Sequence, residues 1–120
     1  MPRTTITRTT PLGPYPTLQP AVDSLDCVMT ACDVANGNQF VLDGPVLLIL
    51  QNTDGASART VTLTSAVDGQ NRSGDVTAYS LGIGEIAVFK VDQVMGWRQT
   101  DGMFYLAASN VAVKFGIVRL

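Results

Sequence analysis

From residue 23 onward, apolar and polar residues alternate with a period of two along much of the chain, as in strands with one face buried and the other wet. In RTVTLTSAV (59–67), Val61 and Leu63 alternate with Thr60, Thr62 and Thr64. PVLLILQNT (45–53) is a continuous apolar run of strand length and reads as buried on both faces. GEIAVFKV (84–91) sets Ile86, Val88 and Lys90 against Ala87, Phe89 and Val91. Both its faces are largely apolar, so it is expected to be central in a sheet or to lie under a subunit contact. MFYLAAS (103–109) and VAVKFGIVRL (111–120) follow, the latter with Val111, Val113, Phe115 and Ile117 on one face and Lys114 on the other. QFVL (39–42) and, less regularly, DCVMTACDV (26–34) supply the remaining strands.

Between these runs stand Asp-Gly at 43–44, 54–55, 68–69 and 101–102, and Asn36-Gly37. Asp and Asn tolerate the left-handed region and Gly enters it without steric cost, so each pair predicts a hairpin turn. No segment has a capped helical period; Ala21–Ala31 comes nearest, and its Asp and β-branched content makes it a poor helix. The expected fold is all-β, one antiparallel β-sandwich of about seven or eight strands.

The first 20 residues differ in composition. Five of the six prolines lie there, with six Thr, Arg3 and Arg8 and no acid. Proline fixes φ, removes an N–H donor and pushes its predecessor to extended geometry, so an extended arm over 1–20 is expected before a sandwich domain over 21–120. The arm's two arginines leave six basic against ten acidic residues in the body. That opposition of sign suits a bridge to a neighbouring subunit, with Arg3, Arg8, Leu12, Tyr15 and Leu18 as its docking residues.

Composition removes several function classes. A net charge of -2 opposes nucleic-acid binding, which needs clustered positive charge. With no His, the usual general base, commonest metal ligand and triad base are missing. Nine of the ten acids are Asp, several within turn dipeptides, so a two-carboxylate cleft is not expected. DGQNRSGD (68–75) lacks the ligand spacing and terminal Glu of an EF-hand, and SLGIGEI opens no helix for a phosphate loop. Cys27 and Cys32 would face opposite ways on a strand and read as free thiols, unless a turn lets them pair. No catalytic, cofactor-binding or metal-binding residues are therefore predicted, and no enzyme. MPRTTITRTTPLGPYP has no apolar run of signal-peptide length, and PVLLIL is far shorter than a membrane span, so an aqueous compartment and no membrane partner are expected.

One aromatic cluster remains. GWRQTDGMFYL (96–106) brings Trp97, Phe104 and Tyr105 around a turn. Trp97, Arg98 and Tyr105 form a binding patch if exposed; otherwise Trp97 caps one end of the core. Charged residues are only 15% of the chain while apolar residues are 46%, so association with other copies is expected to cover surface.

LLILQNT followed by SARTVTLTS, Gly74-Asp75, GEIAVF, GWRQTDG and the terminal VKFGIVRL stand in order along residues 39–120. On these pieces the segment resembles capsid decoration, or cement, proteins of tailed bacteriophages. The resemblance implies a jelly-roll-like sandwich that assembles as a homotrimer at three-fold positions on the capsid exterior, after synthesis in the host cytoplasm. It also implies the major capsid protein as partner, in some assemblies beside a second decoration protein. The rival expectation is a head-fibre or tail-associated module that binds a host glycan through the Trp97–Tyr105 region. A head-completion or tail-tube protein, present in far fewer copies, is the third.

Overall fold

A computed structural model describes residues 3–11, 27–66, 74–92 and 94–120. Ten strands run in chain order among these residues: β1 (Thr4–Thr5), β2 (Arg8–Thr9), β3 (Thr30–Ala31), β4 (Asn38–Val41), β5 (Val46–Asn52), β6 (Arg59–Thr64), β7 (Val76–Leu81), β8 (Ile86–Val91), β9 (Met103–Ala108) and β10 (Val113–Arg119). They form two sheets, ordered β1-β4-β9-β6-β7 and β2-β10-β5-β8, with β3 also paired to β10. No helix occurs among the described residues. The chain is an all-β sandwich of two mixed sheets. The longer pairings are antiparallel; among the described residues only β1 with β4 and β2 with β10 are parallel.

The period of two is realised on the inner faces. Val46, Leu48 and Leu50 of β5, Val61 and Leu63 of β6, Phe104 and Leu106 of β9, and Val113, Phe115 and Ile117 of β10 are buried together. Phe40 and Phe104 are register partners in β4 and β9, and their rings stack at 4.9 Å. The last inward position of β5 is polar: Asn52 is fully buried. Its Nδ2 donates to the carbonyls of Ser57, Leu81 and Gly82, and its Oδ1 accepts from the Asp54 amide. One amide thus satisfies the turns at that end of the sandwich, which is why a buried polar group is tolerated there.

Four sequence expectations are corrected. The Asp-Gly connections at 43–44 and 54–55 are turns but not hairpins: each carries the chain from one sheet to the other, since β4 and β6 belong to one sheet and β5 to the second. Among the described residues β8 is an edge strand, not a central one. Val111 lies before β10 and is exposed, and the strand expected over 26–34 contracts to Thr30–Ala31. β7 went unpredicted because VTAYSL has no clean alternation. Ala78 takes φ 54°, and the register with β6 shifts between Val61 and Leu63.

The largest correction concerns the N-terminus. Residues 3–9 are not a free arm. β1 pairs with the edge of β4, Ile6 enters the core, and β2 pairs with the edge of β10 in the other sheet. This strap closes one side of the sandwich. RTTITRTT (3–10), between Pro2 and Pro11, is free of proline, and its β-branched residues favour extended pairing. Leu12, Tyr15 and Leu18 lie outside the described residues.

Candidate functional site

Three surfaces carry the candidate residues. The first is the loop that leads into β9. Trp97 turns inward and stacks on Phe104 at 5.5 Å and 24°, packing against the core. Tyr105 is the next residue along β9 and, by the alternation of the strand, points to the outer face. Trp97 and Tyr105 therefore lie on opposite sides of their sheet and make no common patch. Arg98 is exposed and, with Ala66, Gln99, Thr100 and Gly102, lines a cleft of about 500 Å³. Among the described residues no carboxylate lines it. Replacing Trp97 by Ala is expected to destabilise the fold by about 2–3 kcal/mol, somewhat less than the 3–5 of a fully buried aromatic. A urea titration measures this.

The structure also brings together two residues that the sequence offered separately. The Arg3 guanidinium sits over the Tyr105 ring, 4.3 Å from its centroid. The Tyr105 hydroxyl donates to Asp101 at 2.5 Å. That hydrogen bond holds the Asp101 carboxyl below its usual range and pushes the Tyr105 phenol up. Further along the strap, Arg8 pairs with Asp43 at 2.6 Å and Thr4 donates to Asp33 at 2.7 Å. Arg3 and Arg8 thus hold the strap in its groove.

Hydrogen bonds likewise hold Asp33, Asp43, Asp54 and Asp75 below the usual carboxylate range. The largest causes are the Thr4 hydroxyl, the Arg8 guanidinium, the Ala56 amide and the Ser65 amide, respectively. A carboxyl with a depressed folded pKa binds fewer protons than it does unfolded, so stability rises with pH through that window. Stability is expected to be complete above about pH 5. It should fall as pH drops through about 4 toward the depressed values, with no inflection near neutrality because the chain has no His. Thermal unfolding between pH 2 and 8 checks this, and Asp54→Asn should shallow the acid limb.

The second surface is the outer face of the β2-β10-β5-β8 sheet. Val88, Ile49 and Gly116 lie side by side across β8, β5 and β10. Residues 27–29 pass over Gly116, where a Cβ would come within 2.5 Å of Met29 Sδ and 2.9 Å of Cys27 Sγ. At the other margin Ile83, Ile86 and Val88 stand 57%, 60% and 57% exposed. The Asn52 amide donates to the Glu85 carbonyl, which sets the phase of the β5–β8 ladder. In that phase residues 87, 89 and 91 face β5, while the N–H and C=O groups of Ile86, Val88 and Lys90 face the open edge. Edge strands of this kind are usually blunted by charge, proline or bulges. β8 has no proline and one lysine, whose ammonium lies 3.2 Å from Asp92. That both faces of 84–91 are apolar is legible in the sequence; its place at an edge among the described strands is not, because that depends on which strands pair.

The third surface is the groove that receives the strap, bounded by the edges of β4 and β10. Cys27 and Cys32 are both free; burial pushes the Cys32 thiol up. Among the described residues no group of three or more His, Cys, Asp or Glu could hold a metal ion. Comparison with known protein families, curated proteins and solved structures gave no match.

Proposed function

We propose that this protein is a structural virion protein that binds the exterior of a tailed-phage capsid as a homotrimer and cements neighbouring capsid subunits at three-fold positions. The observation that carries this reading is the β8 edge, open among the described residues, with Ile83, Ile86 and Val88 exposed beside it. A chain with 15% charged residues has little with which to solvate such an edge. Other copies of the chain cover it in this reading, as a closed ring requires. The resemblance of residues 39–120 to decoration proteins supplies the capsid, and the β-sandwich is the architecture that resemblance implies. Three modest contacts per trimer add through effective concentration to firm attachment.

Two measurements test it. Co-sedimentation with expanded phage heads is expected to saturate at a copy number that matches the three-fold positions, and to raise the temperature at which the heads rupture. Val88→Lys is expected to leave the fold intact, because Val88 is 57% exposed. It should weaken self-association by roughly two to four orders of magnitude, since an unpaired buried charge costs about 3–5 kcal/mol. Wild-type self-association by the variant, or no binding to heads by the unmodified protein, contradicts the reading. Trp97→Ala separates it from glycan recognition: a stable variant that loses cell binding would favour the glycan module.

A further inference from the structure

We infer that in the assembled protein the strap of residues 3–9 is exchanged, each copy laying its strap into the groove of a neighbour. The inference rests on the oligomeric part of the proposed function and is independent of the capsid. It starts from where the two ends of the strap's connection lie. Thr9 pairs with Val118 and Thr30 pairs with Phe115, both on the edge of β10 that β5 leaves open. Three residues along one strand separate those points by about 10 Å. The connection between them is residues 10–29.

Twenty residues are far more than a 10 Å gap needs, since most connections within small domains run about 4–6 residues. Their composition also opposes a compact return. Pro11, Pro14, Pro16 and Pro20 favour extended geometry, in which residues 11–20 alone reach about 30 Å. A long, proline-stiffened connection suits a strap that seats at a distance from its own body.

The strap's contacts carry over unchanged to a neighbour's groove. Ile6 fills the core position, Arg8 meets Asp43, Thr4 meets Asp33 and Arg3 covers Tyr105. Every one of these is made by residues 3–8 to residues beyond 30, so identical chains supply identical partners. Exchange therefore sacrifices no contact, and it links copies covalently continuous with their straps around a closed ring.

Thr5 and Gln39 are register partners with their side chains 3.2 Å apart, one exposed and the other half-buried. Paired strands lie about 4.8 Å apart, within disulfide range. The test uses two full-length variants, Thr5→Cys in one chain and Gln39→Cys in the other, unfolded, mixed, refolded together and oxidised. Neither chain can close this disulfide on itself. Exchange predicts a mixed covalent dimer, shifting chains from 12.7 kDa to about 25 kDa on a non-reducing gel. Mass spectrometry of the linked peptide distinguishes that bond from any made by Cys27 or Cys32. A companion chain carrying both substitutions completes the test. If it closes its disulfide at single-chain mass while the mixture gives no dimer, the strap seats in its own groove and the inference is overturned. If neither preparation forms the bond, the strap leaves the groove altogether, which overturns it as well. Light scattering on the same samples separates this failure from failure of the oligomer itself: a trimer with straps at home keeps the proposed function, and a monomer removes both.

Discussion

Removing residues 1–10 is expected to unfold the protein, or nearly so, and not simply to free it of an arm. The strap contributes one fully inserted apolar residue and covers two sheet edges. Ile6 is 2% exposed and belongs to the same core as Phe40, Leu106 and Phe115. Replacing Ile6 alone by Ala should lower the unfolding free energy by about 2–5 kcal/mol, from lost transfer energy and an incompletely collapsed cavity. Truncation adds the loss of the β1–β4 and β2–β10 pairings and of the Thr4–Gly37 and Ile6–Gln39 backbone bonds. Domains of this size are stable by only about 5–15 kcal/mol, so the sum consumes most of the margin. Urea titration of the 11–120 fragment should show a greatly lowered midpoint or no cooperative transition. A midpoint equal to that of the full chain would mean the strap is no part of the fold.

Replacing Phe104 by Ala is expected to cost about 3–5 kcal/mol, toward the upper end of the range for buried aromatics. The ring lies between two others: Phe40 at 4.9 Å and 20°, Trp97 at 5.5 Å and 24°. Each such pair contributes about 0.5–1.5 kcal/mol beyond the area it buries, and Phe104→Ala removes both while leaving Trp97 without its support. Phe104→Leu keeps most of the volume and should cost markedly less. The two variants are compared by urea titration and by near-ultraviolet circular dichroism, where the tryptophan signal should collapse in the alanine variant. Equal stability of the alanine variant and the parent would show that the stack does not hold this end of the sandwich.

What could be read from the residues follows from what a period of two encodes. Alternation fixes which side chains turn inward, and the inner faces of β6 and, from Val113 on, β10 match it, whereas the continuous apolar run of β5, expected to be buried on both faces, alternates buried and half-buried. It is silent on which sheet a strand joins. The turns at Asp43-Gly44 and Asp54-Gly55 were legible as turns, but their passage between sheets depends on packing far from the turn itself. The strap was misread because proline dominates the composition of residues 1–20, whereas the local fact that mattered was a β-branched run with one isoleucine between Pro2 and Pro11.

The candidate surfaces divide in the same way. Trp97 and Tyr105 are close in sequence and were grouped for that reason, yet one-residue alternation about Phe104 sends them to opposite faces. Arg3 and Tyr105 were offered as parts of two different sites, and only the pairing of β1 with β4 and of β4 with β9 brings them together. The apolar outer face of β8 was visible from Ile86 and Val88, while its position at a sheet edge was not.

The most direct test of this account is the native mass of the purified full-length chain by light scattering over a range of concentrations. The account predicts a concentration-independent mass near 38 kDa, three times 12.7 kDa, that Val88→Lys shifts to single-chain mass without unfolding the protein. A wild-type mass of 12.7 kDa at every concentration would contradict it.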